Sequence, residues 1–273
     1  MQTHSEVQKA STEACAVTAH GRLTRIREIL SAGNPVSIKE LAVALGVSDM
    51  TVRRDLDELE RTGFAQRTHG AAIATDRLYF ELNFYQRRQA RRNQKRAIAE
   101  VAARLVQPGH RIFVDAGSTT LELVFCIKDV PNIVVVTTSL AVAAALQHSD
   151  SAETILLGGT LQPGRPDLGG GLTEDMLDMF SADLSFQGAD GIDLDGWIYN
   201  ENVASARVGK KMREKTNQPY ILADSTKIDR TALMKFGNIR EGGGLITDDE
   251  IDPKHLLRFT DGLGIDVKVA KGS

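Results

Sequence analysis

The stretch 37–60, SIKELAVALGVSDMTVRRDLDELE, constrains this chain more than any other part of it. Ile38, Leu41, Ala42 and Leu45 recur at helical spacing and make one apolar face. Gly46 follows, where a helix needs a left-handed residue to stop. Ser48 offers a hydroxyl to cap a second helix, with Thr51 in its first turn. There Val52, Leu56 and Leu59 form the buried stripe, and Ser48, Asp49, Met50, Thr51, Arg53, Arg54 and Asp57 lie off it. Helix, glycine turn, capped helix is the helix-turn-helix pattern. Its chemistry suits duplex DNA. The capped N-terminus aims N–H groups at phosphates, and short polar side chains with adjacent arginines reach base edges in the major groove. A solvated helix of an ordinary bundle can also carry Arg-Arg-Asp, but here turn, cap and following segment agree on a DNA reader.

The neighbouring segments extend this unit. Residues 1–19 are polar, small and aperiodic, which predicts a disordered arm. Leu23, Ile26, Ile29 and Leu30 predict a supporting helix over 20–32, ended by Gly33-Asn34-Pro35. After Gly63, residues 64–67 and 71–73 read as two short strands around His69-Gly70, a wing whose DNA contacts are Arg67 and His69. A plain hairpin with Arg67 in solvent is the alternative. The domain reading is therefore an arm at 1–19, a winged helix-turn-helix at 20–73, a linker at 74–94 and a second domain at 95–273. The linker mixes Tyr79, Phe80, Phe84 and Tyr85 with five arginines. Such a mixture can bind single strands, but docking of the aromatics on the second domain or on a partner subunit is the simpler reading.

Charge divides along the same line. Residues 1–100 hold 16 Lys and Arg against 12 Asp and Glu, and residues 101–273 hold 17 against 24. A mildly basic front on an acidic back fits a DNA-binding head on a body that avoids DNA. Cys15 and Cys126 are the only cysteines, too few and too far apart for a zinc site or a disulfide framework. No apolar run is long enough to span a membrane, and the first residues lack the features of a signal peptide. A cytoplasmic protein without metal or cofactor is expected.

From Lys95 the pattern becomes strand, polar loop, helix, repeated. Strands are predicted at 111–115, 133–136, 154–157, 184–186, 220–223 and 245–247, with helices between, which means an α/β, doubly wound, mostly parallel sheet. Ligands bind such sheets at the carboxyl ends of the strands. Those ends read Asp115-Ala-Gly-Ser-Thr-Thr120, Thr137-Thr-Ser139, Gly158-Gly159, Gly188-Ala-Asp190 and Asp224-Ser-Thr-Lys227. Gly117 with Ser118, Thr119 and Thr120 makes a phosphate cradle at a helix start. Lys227 can neutralise a phosphate. Asp115 and Asp190 suit sugar hydroxyls, and Thr138, Ser139, Gly158 and Gly159 complete the candidate effector set. Asp115 taken alone reads equally well as a helix cap. Arg165 and Lys210 read as solvated.

These two motif sets together closely resemble the DeoR family of bacterial transcription regulators over about residues 20–250. The first is residues 37–72, with Thr51-Val-Arg-Arg-Asp-Leu56; the second is DAGSTT, VVTTS, LLGGT, FQGADGID and LADSTK. The resemblance implies a repressor of sugar or polyol catabolic genes. It implies a C-terminal domain similar to ribose-5-phosphate isomerase that senses a phosphorylated sugar, and a homo-oligomer, dimer or tetramer, on a double-stranded operator. This chain departs from the family pattern twice. His69-Gly70-Ala71-Ala72 replaces His-Gly-Gly-Ala in the wing, and Ser205 stands where the family commonly has an acid. Two other functions compete: a sugar-phosphate isomerase with a regulatory head, and a scaffold whose head contacts protein. Against the first, Gly188-Ala-Asp190-Gly191 keeps one acid of the enzyme pattern and has Gly191 in place of another.

Overall fold

The computed structural model describes residues 18–30, 36–61, 65–68, 71–74, 84, 87–161, 165 and 167–272. The chain divides into two compact units, Met1–Tyr85 and Gln86–Ser273. The expected arm up to residue 17, the Gly33-Asn34-Pro35 stop, Gly63, His69, Gly70 and the linker aromatics Tyr79, Phe80 and Tyr85 lie outside the described residues.

The first unit contains α1 (Ala19–Leu30), β1 (Val36–Ser37), α2 (Ile38–Leu45), α3 (Asp49–Arg61), β2 (Ala65–Thr68) and β3 (Ala71–Ala74). Its core is the apolar faces of the three helices, with Ile26, Leu30, Leu41, Val52, Leu56 and Leu59 fully buried. Both helices of the motif are capped by side chains. Ser37 Oγ accepts the Glu40 N–H at 3.2 Å while a Glu40 carboxylate oxygen accepts the Ser37 N–H at 2.7 Å. Gly46 closes α2 at φ 64°, and Ser48 Oγ accepts the Thr51 N–H at 3.2 Å to open α3. The wing strands pair antiparallel, and β1 adds a third strand on β3 through Val36↔Ala72 and Ser37↔Ala71. Two residues are too few for alternation to show, so β1 is invisible to a periodicity reading.

The second unit runs α4 (Arg92–Ala103), β4 (Arg111–Val114), α5 (Ser118–Ile127), β5 (Ile133–Thr137), α6 (Leu140–Leu146), β6 (Ala152–Leu156), β7 (Thr160–Leu161), β8 (Leu168–Gly169), α7 (Gly171–Leu177) and β9 (Ala182–Gln187). It continues with β10 (Gly191–Ile192), β11 (Trp197–Asn200), α8 (Val203–Glu214), β12 (Thr216–Leu222), β13 (Met234–Asn238), β14 (Gly244–Asp248), α9 (Pro253–Leu257) and β15 (Val267–Ala270). Seven strands form one sheet in the order β15-β14-β12-β9-β4-β5-β6. Every neighbouring pair in it is parallel. The apolar run Ile133–Val136 and the fully buried Phe113 and Phe186 are what a sheet covered on both faces requires. The chain winds from β4 out to β6, returns to β9 on the other side of β4, and winds out again to β15. Strand order therefore reverses between β4 and β9. A separate antiparallel sheet, β10-β11-β13, was not expected, because its strands are short and broken by Gly and Asp.

Candidate functional site

The reversal of strand order leaves a crevice at the carboxyl ends of β4 and β9. A cavity of about 170 Å³ opens there. Its wall takes Asp115 to Thr119 from the end of β4, Gly188 to Asp190 from the end of β9, and Asp224, Thr226 and Lys227 from the end of β12. Arg87, Arg91 and Lys95 join from the approach to α4 and its first turn, and Arg165 from between β7 and β8.

Asp115 lies where the two central strands meet. Its backbone N–H donates to Phe186 O at 3.0 Å, and its carboxylate accepts the Gly188 N–H at 3.2 Å. Withdrawal from water pushes its carboxyl pKa up to about 6; nearby Asp167 adds to this, while N–H bonds from Ala116 and Gly188 and the charge of Arg165 oppose it. Beside it, Gly117 precedes α5 and Ser118 and Thr119 open the helix, so the cavity meets a helix N-terminus. The hydroxyl residues read from sequence as a loop are thus the first turn of α5.

The cations fall into two kinds. Arg91 and Arg87 are occupied. Arg91 reaches Glu250 at 2.9 Å and Asp248 at 3.2 Å, and Arg87 reaches Asp190 at 3.0 Å. Lys95 and Lys227 are not neutralised in this way. Lys95 is buried and its ammonium donates to the carbonyls of Arg87 and Ala90. Burial holds its pKa below the usual lysine range; Asp224 opposes this and Lys227 reinforces it. Lys227 has no carboxylate partner among the described residues. Two ammonium groups thus line the same cavity as the start of α5, an arrangement whose charge suits an anion.

Asp115, Gly117, Ser118, Thr119, Asp190 and Lys227, all expected from sequence, come together on this wall. Thr120, Thr138, Ser139, Gly158 and Gly159 do not, and each has a local job. Thr120 Oγ1 accepts the Gly117 N–H at 2.9 Å and donates to Asp115 O at 2.7 Å, fixing the cradle from behind. Ser139 Oγ caps α6 through Val142 N–H at 3.3 Å, and buried Thr138 accepts the Leu168 N–H on its carbonyl at 3.0 Å. Gly158 O accepts the Thr173 hydroxyl at 2.8 Å, and a Cβ on Gly159 would stand 1.9 Å from that hydroxyl oxygen. Arg165 is not solvated as expected: it lines the cavity and pairs with Asp167 at 3.0 Å. Sequence reading also missed Arg87, Arg91 and Lys95. The arginines sit in what composition marks as a linker, and Lys95 opens an amphipathic helix where lysine is ordinarily exposed. Among the described residues no group of His, Cys, Asp and Glu could hold a metal ion, and no helix is long and apolar enough to cross a membrane.

In the first unit the capping Ser48 and, on α3, Met50, Arg53 and Arg54 are exposed, with Thr51 half-buried and its hydroxyl 3.0 Å from Ser48 Oγ. Neither arginine has an ion-pair partner among the described residues. Arg67 lies on β2 in register with Ala72, its side chain outside the described residues. The same helix turns Asp55 inward, against Arg22 of α1, with oxygen–nitrogen distances of 2.8 and 3.1 Å.

A capped helix-turn-helix with a wing, joined in one chain to a doubly wound unit with a charged cavity at its switch point, defines a DNA-binding regulator that carries a sensor. Residues 22–77 match the DeoR-like helix-turn-helix domain, and residues 90–249 match the DeoR C terminal sensor domain. The chain belongs to the DeoR family of transcriptional regulators. It is 33% identical to the HTH-type transcriptional regulator GlpR of Haloferax volcanii over 85% of this chain and 90% of that one. It is 29% identical to a putative aga operon transcriptional repressor of Escherichia coli O157:H7 over 90% and 93% respectively. Ribose 5 phosphate isomerase A from Neisseria gonorrhoeae superposes with a TM-score of 0.36 at 16% identity, over 49% of this chain and 52% of that one. A likeness this loose says nothing about activity.

Proposed function

We propose that this chain represses genes of carbohydrate or polyol catabolism and releases its operator when a phosphorylated sugar or polyol fills the cavity. The observation that carries this reading is the pair Lys95 and Lys227 beside the N-terminus of α5, in a cavity that also offers carboxylates to hydroxyl groups. The phosphate rests on Ser118, Thr119 and the two ammonium groups, and Asp115 takes sugar hydroxyls. Ser48, Met50, Thr51, Arg53 and Arg54 contact double-stranded DNA from α3, with Arg67 and His69 of the wing on the backbone. So few contacts per head give modest affinity, so that a homodimer or tetramer holding two heads is needed for a specific site. The effector acts by binding more tightly to the arrangement with lower DNA affinity. The protein works in the cytoplasm and is not an enzyme. A Cβ at Gly191 would lie 2.6 Å from Arg230 O, so the second acid of the isomerase pattern has no room there.

Two measurements test the two halves of this reading. Thermal shift of the full chain against sugar and polyol phosphates gives a hit that Ser118→Ala and Lys227→Ala both weaken; a hit indifferent to both removes the cavity assignment. Arg53→Ala and Arg54→Ala lose operator footprints at physiological salt yet keep the effector shift. Footprints equal to wild type in both variants remove the DNA assignment.

A further inference from the structure

Ser205 lies in the first turn of α8, where its hydroxyl meets a buried carboxylate. Asp167, only 4% exposed, accepts the Ser205 hydroxyl at 2.8 Å. The serine is itself fixed, its backbone N–H donating to Asn202 Oδ1 at 3.0 Å. The other oxygen of Asp167 accepts Arg165 Nε at 3.0 Å. A chain of bonds thus runs from α8 through a buried carboxylate to an arginine on the cavity wall.

That arginine is not used up by the pairing. Only its Nε is engaged; its two terminal NH₂ groups have no partner among the described residues. An arginine held at Nε by a buried acid presents the rest of its planar fork as a fixed bidentate donor. Arg87 and Arg91, in contrast, spend terminal nitrogens on carboxylates. Arg165 enters the cavity from the segment between β7 and β8, whereas Lys95 comes from the first turn of α4 and Lys227 from the end of β12. The cavity therefore carries two sets of cations on different elements, the lysine pair and Arg165.

We propose that Arg165, positioned by Asp167 and Ser205, is a specificity-determining residue that reads a second anionic group, so that the effector is a sugar carrying a phosphate and a further carboxylate or phosphate. This rests on the cavity being the effector site. Its chemistry is that of a bidentate guanidinium–oxyanion pair, with the buried Asp167 holding the guanidinium plane in place. Replacing the serine alone loosens Asp167 without touching the ligand, so Asp167 and Ser205 are positioning residues.

The test is calorimetric titration of the full-length protein with matched probes: glucose 6-phosphate against gluconate 6-phosphate, and fructose 6-phosphate against fructose 1,6-bisphosphate. The wild type prefers the doubly anionic member of one pair by at least about tenfold, the size of one charge-assisted hydrogen bond. The pair that shows the preference tells carboxylate from phosphate. Arg165→Ala brings the ratio close to one while the singly anionic sugar binds within about threefold of wild type. Ser205→Ala lowers the ratio while glucose 6-phosphate and fructose 6-phosphate bind as in the wild type, a change of preference that a merely structural serine would not cause. A ratio near one in the wild type, or a ratio that survives in Arg165→Ala, overturns the proposal and leaves the cavity reading standing. No binding by any of the four probes, in wild type and Lys227→Ala alike, overturns both.

Discussion

Asp115 carries a cost that the fold tolerates for the sake of its position. Its pKa of about 6 lies above the unfolded value near 3.8, because burial disfavours the charged form. Above pH 6 both folded and unfolded chains hold an ionised Asp115, and only the folded one has lost its hydration. As pH falls through 6 the folded state takes up the proton first, so the penalty is relieved between about 6 and 4. The shift of roughly two units bounds the penalty at about 3 kcal/mol. Asp115→Asn keeps an acceptor for the Gly188 N–H and removes the charge. The variant is expected to be more stable than wild type at pH 8, by about 1–2 kcal/mol in urea unfolding, with the difference shrinking by pH 5. A less stable variant at pH 8 would show that the ionised carboxylate holds the two strand ends together more strongly than burial strains them.

At the scale of elements, α3 shows how one helix packs along one face and leaves two arginines exposed on the other. Successive residues turn by about 100°, so Asp55 falls on the same side as Val52, Leu56 and Leu59 while Arg53 and Arg54 point out. The bidentate bond from Arg22 lets that carboxylate be buried and locks α3 against α1. Asp55→Ala should cost about 2–3 kcal/mol, less than a fully buried pair because Arg22 keeps some water. It should also weaken operator binding although Asp55 is buried and Arg53 and Arg54 are untouched. Unchanged denaturation midpoint and unchanged footprint together would reduce the pair to an incidental contact. The helix-turn-helix was legible because its information is local: apolar spacing, Gly46 and the Ser48 cap all lie within one short stretch. The parallel strands were legible for the same reason, as apolar runs ending in polar loops. The role of Asp55 was not, because its partner is 33 positions away. Nor was half of the cavity. Lys95 looks like the solvated start of α4, and Arg165 acquires its place only when β7 and β8 bring Asp167 to Ser205. Conversely, Thr138, Ser139, Gly158 and Gly159 look like ligand loops because caps and close approaches use the same small polar residues as ligand cradles.

Across the whole molecule, each unit has its own apolar core. Ile26, Leu41, Leu56 and Leu59 belong to the first, and Phe113, Leu177, Ile221 and Phe259 to clusters of the second. Charge follows the same division, with residues 1–100 cationic by four and residues 101–273 anionic by seven. Units with independent cores are expected to unfold as separate cooperative transitions. Scanning calorimetry should then resolve two, and each ligand should move one of them. A sugar phosphate at a hundred times its dissociation constant adds about 2.7 kcal/mol to the sensor, or roughly 5–10 °C, and leaves the head where it was. Operator duplex raises the head transition instead, and that rise falls as salt increases because phosphate contacts release counterions. With both ligands present, the head transition should drop back toward its free value if the effector lowers DNA affinity, since the coupling is reciprocal. Additive shifts, each ligand indifferent to the other, would mean that the cavity binds sugar phosphate without controlling the helix that reads DNA.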